Sequence, residues 1–196
     1  MTYSMNVSEE FKAFTWTGQR VGSNHMTAIL EELGFGYFKF DDEGNVIEKS
    51  NKPSHNHTCK LFKGHENYSM IIAVRNPYSM MISQATGGAL EPTEENIKIA
   101  RDRVENILQG RDFKNCCECF DKRFPDYVIR LENLFEDYLK IPFIKNHNIH
   151  LSGRLLELTN KTVNKGGAKS PLYWKNFISQ PVADLIYYNF PDYFNH

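Results

Sequence analysis

Apolar positions along the chain fall into short runs that alternate with stripes at helical spacing. Phe11 to Thr17 (FKAFTWT) is aromatic and β-prone and stops at Gly18, while apolar residues recur every three to four positions from Ser23 to Leu33. Together they predict a strand, a loop and a helix. Gly34 then stands where a helix-ending glycine belongs, and Tyr37 to Phe40 resumes as a strand. Asp41-Asp42-Glu43-Gly44-Asn45 is turn chemistry leading into Val46-Ile47-Glu48, which predicts a hairpin. Polar residues from Lys49 to Asn56 predict a loop, and His57 to Phe62 a further strand.

Tyr68 to Val74 (YSMIIAV) is an unbroken apolar run, the pattern of a central strand covered on both faces. Pro77 suits the first turn of a helix through Ala85 that Gly87-Gly88 would stop. Glu91 to Gln109 predicts a longer helix, with acids in its first turn and a buried stripe of Ile97, Ala100, Val104, Ile107 and Leu108. A short helix is expected through the cysteines, a strand over Tyr127 to Leu131, a helix over Asn133 to Leu139, a loop from Asn160 to Ser170 and a last helix over Gln180 to Asn189. No repeat or linker interrupts the 196 residues. The order predicts one α/β domain, 1–196, with a mostly parallel central sheet sandwiched between helices in three layers.

Composition narrows the function. A formal net charge of -1 argues against a general nucleic-acid or membrane-surface binder, so any anion site must be local. The longest apolar runs are too short to span a bilayer and the first ten residues are polar and acidic; no signal peptide or anchor is expected, and a cytoplasmic, reducing setting follows. Of the four cysteines, Cys116 and Cys119 form a C-x-x-C, but no second Cys or His pair follows at finger-like spacing. The thiols are therefore read as structural or incidental, and no metal is expected.

Two segments carry chemistry. The first is the loop Gly18-Gln19-Arg20-Val21-Gly22-Ser23-Asn24 between the first predicted strand and helix. Such a loop offers free amides, a helix dipole and a guanidinium to a phosphate group. It is not a Walker A loop, because no Lys precedes Ser23 and the G-x-x-x-x-G-K-[ST] spacing is missing. The second is Arg75-Asn76-Pro77, directly after the central strand, with Ser83 two helical turns further on. An arginine leaving a strand's carboxyl end and a serine hydroxyl on the next helix can clamp a second phosphate through charge-assisted hydrogen bonds.

GQRVGSN after one strand and RNPYSMMIS after a later one resemble the two cofactor-binding segments of the sulfotransferases that use 3'-phosphoadenosine 5'-phosphosulfate (PAPS), namely P-[KR]-[ST]-G-[ST]-[TS] and R-[ND]-P-x-x-x-x-x-S. The Arg75-to-Ser83 interval matches in full. Arg20, Gly22 and Ser23 match directly, Asn24 takes a hydroxyl position, Gln19 replaces the usual Pro and Val21 a small hydroxyl residue. Ile129 to Leu134 resembles the strand-plus-E-[DN]-L segment, with Leu131 at the usual Tyr. Lys165-Gly166-Gly167 and Trp174-Lys175-Asn176 are similar to the glycine loop and aromatic segment that cover the cofactor.

The resemblance implies a P-loop-like fold and sulfuryl transfer from PAPS to a hydroxyl of a small molecule or saccharide, with no metal. Gln19 to Asn24 would hold the 5'-phosphosulfate, Arg75 and Ser83 the 3'-phosphate, Lys165 to Gly167 the cofactor's cover, and Trp174 the adenine. Arg20 would take up charge on the leaving oxygen. The family's base is commonly a His before the Arg-Asn-Pro strand, so His57 is the first choice and His55 the second; Glu31, Glu32 and Glu48 stay open, because other members use a Glu. A P-loop nucleotide kinase and a catalytically inert nucleotide-binding protein of the same fold are the alternatives. The acceptor and the oligomeric state are not legible in the sequence.

Overall fold

The amino terminus, polar as it reads, is a strand. A computed structural model describes residues 3–17, 23–54, 64–86, 91–109, 124–160 and 173–189. It divides into two compact units, Met1–Val74 with Glu118–Lys161 and Arg75–Cys117 with Thr162–His196.

The first unit holds a six-stranded sheet. Its strands are β1 (Tyr3–Ser8), β2 (Ala13–Thr17), β3 (Gly36–Phe40), β4 (Val46–Ser50), β5 (Ser69–Val74) and β6 (Tyr127–Arg130), in the order β4-β3-β1-β2-β5-β6. The expectation of a mostly parallel sheet is corrected. Among the described residues β1 pairs antiparallel with both β2 and β3, and β3 with β4; only β2–β5 and β5–β6 are parallel. Connection length decides this. The chain from Ser8 to Ala13 and from Phe40 to Val46 is too short for a crossover and must fold back, whereas the β2–β5 and β5–β6 connections are long enough to return a strand in the same direction.

Register sorts the sheet's two faces. Met5, Val7, Phe14, Trp16, Phe38, Phe40, Met70 and Ile72 form one apolar cluster. The opposite face of the same strands carries Ile71 together with smaller or polar side chains, Asn6, Ser8, Ala13, Thr15 and Ala73, all nearly inaccessible. β5 is buried through its middle, as its apolar run predicts.

Helix α1 (Ser23–Glu32) ends as the sequence foretells. Gly34 lies at φ 72°, its N–H bonds Glu31 O at 3.1 Å and the Phe35 N–H bonds Leu30 O at 2.9 Å. This is a Schellman stop, sealed by burial of both Leu30 and Phe35. The β3–β4 turn is held by Asp41, whose carboxylate accepts from the backbone N–H groups of Glu43 and Asn45 and from the Asn45 amide.

After β6 a single 3-10 turn leads into α4. The label order of the helices through the rest of the chain is α2 (Pro77–Ala85), α3 (Glu94–Leu108), α4 (Leu134–Tyr138), α5 (Pro142–Lys145), α6 (Asn148–Leu151), α7 (Arg154–Asn160) and α8 (Gln180–Asn189). In the first unit α1 and α4 both pack on α7, and the buried Tyr138 hydroxyl donates to Met26 Sδ.

The second unit is helical. α2, α3, a turn at Tyr173–Asn176 and α8 share a core of Met81, Ile82, Ala100, Val104, Trp174, Phe177, Ala183 and Ile186. Ala100 and Val104 are the predicted buried stripe of α3; the Ile107 side chain lies outside the description. No helix among the described residues is long and apolar enough to cross a membrane.

Candidate functional site

β2, β3, β5 and β6 run in one direction, since β1 is antiparallel to both of its neighbours, β2 and β3, while β2–β5 and β5–β6 are parallel. From the carboxyl end of β2 the chain passes through α1 to β3, on one side of β2; from β5 it continues toward β6, on the other side. Neighbouring parallel strands whose onward connections diverge leave a crevice at their carboxyl ends, where open α/β sheets bind ligands. Thr17 lies beside Ala73 in that register. The predicted anion loop starts at Gly18, directly after β2, and the Arg75-Asn76-Pro77 segment starts directly after β5.

Of the loop, Gln19, Arg20, Val21 and Gly22 lie outside the described residues, and Ser23 and Asn24 are described as the backbone that opens α1. His55, His57, Lys165, Gly166, Gly167 and all four cysteines also lie outside them.

In the second unit, Arg75 is half-buried and the turn after it is built by capping. Asn76 Oδ1 accepts from the Ser79 N–H at 3.2 Å and Pro77 occupies the first helical position, where no N–H is needed. Ser83 is buried on α2. Ser79, one turn earlier on the same side of the helix, is buried too, and its hydroxyl has no hydrogen-bond partner among the described residues. The sequence reading passed over Ser79; only its i, i+4 relation to Ser83 could have singled it out. Trp174 lies in the helical core, 5% exposed, with its ring 4.6 Å from that of Tyr78 and the Lys175 ammonium 5.6 Å from its centre.

The remaining candidates separate by position. Glu31 and Glu32 sit in the last turn of α1, about 15 Å along the helix from its start. Both face surface cations: Glu32 bonds Arg154 Nε at 3.0 Å and Glu31 lies 4.0 Å from Lys52 Nζ. Glu48 pairs with Lys39 at 2.8 Å on the outer strands. His65 is 6% exposed, edge-on to Phe40 and Tyr68, with Nδ1 unpartnered among the described residues. It precedes β5, about 20 Å from that strand's carboxyl end. Among the described residues no three His, Cys, Asp or Glu side chains gather into a metal site.

Beside the Glu132-Asn133-Leu134 segment an ion pair joins β6 to α4. Asp137, on α4, accepts from the Arg130 backbone N–H and guanidinium and from Lys140. Burial pushes its carboxyl up, and the bonds from Arg130 and Lys140 outweigh that and hold it at about 2.

No protein-family model matches the chain, and neither a curated protein nor a solved structure matches it significantly.

Proposed function

We propose that the protein transfers the sulfuryl group of PAPS to an acceptor hydroxyl, on a P-loop-like, three-layered variant of its α/β fold. One observation supports the reading: the two segments with expected anion-binding chemistry, separated by more than fifty residues, each begin immediately beyond the carboxyl end of one of two neighbouring parallel strands, where the onward connections diverge. A chance pair of Gly-Ser and Arg-Asn-Pro sequences has no reason to share that edge.

In this reading the amides opening α1, with Arg20, bind the 5'-phosphosulfate, and Arg75 with Ser83 binds the 3'-phosphate. The acceptor oxygen attacks sulfur in line. The bond from sulfur to the 5'-phosphate oxygen breaks as the new O–S bond forms, the acceptor's proton passes to the base, and the leaving oxygen keeps the electron pair. Arg20 and the loop amides stabilise that charge as it develops. His57, or failing it His55, takes the proton.

A thermal-shift titration and a transfer assay test this together. Stabilisation by 3'-phosphoadenosine 5'-phosphate, none by ATP with magnesium, and sulfate transfer that His57→Ala abolishes while nucleotide binding survives are the expected results. Stabilisation by ATP with magnesium alone would put a nucleotide kinase in its place. Nucleotide binding without transfer to any hydroxyl would leave an inert binding protein.

A further inference from the structure

α2 buries two hydroxyls away from the core of its own unit. Tyr78, Met81, Ile82 and Ala85 face the helical unit's apolar cluster. At about 100° per residue, Ser79 and Ser83 lie about 130° round the helix from the middle of that stripe. Both are buried all the same, at 2% and 6% exposure.

A serine inside a helix can satisfy its hydroxyl by bonding back to the carbonyl four residues earlier. Thr86, which closes this helix, does so with Ile82 O at 2.9 Å. For Ser79 that carbonyl belongs to Arg75, ahead of the Asn76 cap, and the bond is not made; the hydroxyl has no partner among the described residues. A donor shut away from water with nothing to bond is destabilising, and a ligand that accepts from it removes the penalty.

The surroundings select the ligand's chemistry. α2 carries no charged side chain, its first turn holds no acid, and Arg75 stands just before its cap. Ser79 and Ser83 are stacked one turn apart, about 6 Å along the axis. Two O–H bonds of about 2.6 Å to separate oxygens of one phosphate group reach across that spacing. A phosphate offers acceptors alone and a charge for the guanidinium.

We infer that Ser79 is a further ligand of the 3'-phosphate, its hydroxyl and that of Ser83 donating to two oxygens of the one group for which Arg75 supplies the charge. This rests on the sulfuryl-transfer reading, which assigns Arg75 and Ser83 to that phosphate.

The test compares Ser79→Ala with wild type, first without ligand and then by isothermal titration with 3'-phosphoadenosine 5'-phosphate and with adenosine 5'-phosphosulfate, which has no 3'-phosphate. Without ligand the variant's Tm should be higher by about 2–4 °C, because the stranded donor is gone. Its affinity for 3'-phosphoadenosine 5'-phosphate should fall about tenfold, and that for adenosine 5'-phosphosulfate should stay within about twofold of wild type. A purely structural serine does not give a gain in stability together with a loss confined to the 3'-phosphorylated nucleotide. A ligand-free Tm no higher than that of wild type means that the hydroxyl is bonded within the protein and overturns the assignment, as do equal losses for both nucleotides. Should Ser79→Ala not fold, Ser79→Cys repeats the titrations with the same expected result, since its thiol is a weak donor of similar size. If wild type does not bind 3'-phosphoadenosine 5'-phosphate, the sulfuryl-transfer reading fails and this assignment with it. If wild type and Ser79→Ala bind it equally, the assignment alone falls.

Discussion

Arg130 and Asp137 tie the end of β6 to α4 through a two-pronged ion pair, Nε to Oδ2 at 2.8 Å and Nη2 to Oδ1 at 2.7 Å, with the Arg130 backbone N–H on the same carboxylate. The Asp137 side chain is 1% exposed and that of Arg130 42%. The folded carboxyl titrates at about 2, below the ordinary unfolded value of about 3.9. Its contribution is therefore complete above about pH 4 and is lost as pH falls through 2. Discounted for the solvent that reaches Arg130 and Lys140, it amounts to about 1–2 kcal/mol. Asp137→Asn should lower stability by that much at pH 7, and the two proteins' urea midpoints should converge as pH approaches 2. Parallel curves down to pH 2 would remove Asp137 from the acid response.

On the proposed sulfuryl-transfer reading Arg75→Ala deletes a charge-assisted contact to the 3'-phosphate, so it should weaken 3'-phosphoadenosine 5'-phosphate about 100-fold, and Ser83→Ala about tenfold. Adenosine 5'-phosphosulfate, which lacks the 3'-phosphate, should bind wild type and both variants alike. Isothermal titration decides; equal losses for both nucleotides would place these residues away from the 3'-phosphate.

Thr15 buries a hydroxyl that finds no partner among the described residues. Thr15→Val keeps the β-branched shape and removes the stranded group, so it should stabilise by about 1 kcal/mol, raising Tm by about 2–4 °C for a chain of this size. A lower Tm would show that the hydroxyl is bonded in solution.

Gly34→Ala should cost about 1 kcal/mol, because an alanine at φ 72° meets backbone strain while its Cβ would find nothing within 4 Å. The urea midpoint should fall with its slope unchanged.

Where one rule dominated, the sequence was readable. The apolar run of β5, Pro77 at the start of α2, the acids opening α3 and Gly34 each predicted the element observed. β1 escaped because Asn6 and Ser8 break the apolar pattern, and those residues are buried for reasons that lie 48 positions away or across the sheet. Strand direction was misjudged because periodicity is blind to it, and because β1, which the short stretch from Glu9 to Lys12 turns back on β2, was not read as a strand. The helices α5, α6 and α7 are four to seven residues long, too short for a stripe to register. Of the candidate site, that the Gly18 to Asn24 and Arg75-Asn76-Pro77 segments each follow a strand was legible; the buried Ser79 hydroxyl and the bonds of Asn6 to Ser54 needed coordinates.

Among the described residues β4 is an edge strand of the sheet, and all but its last residue are well exposed. Its composition discourages copies of the chain from adding to the sheet there. An antiparallel pairing of two β4 strands across a twofold axis that overlaps all five residues sets Glu48 against its own image, and slipping by two residues shortens the overlap to three. Like charges face to face are repulsive on a strand pair, so this pairing of two β4 edges is disfavoured at neutral pH.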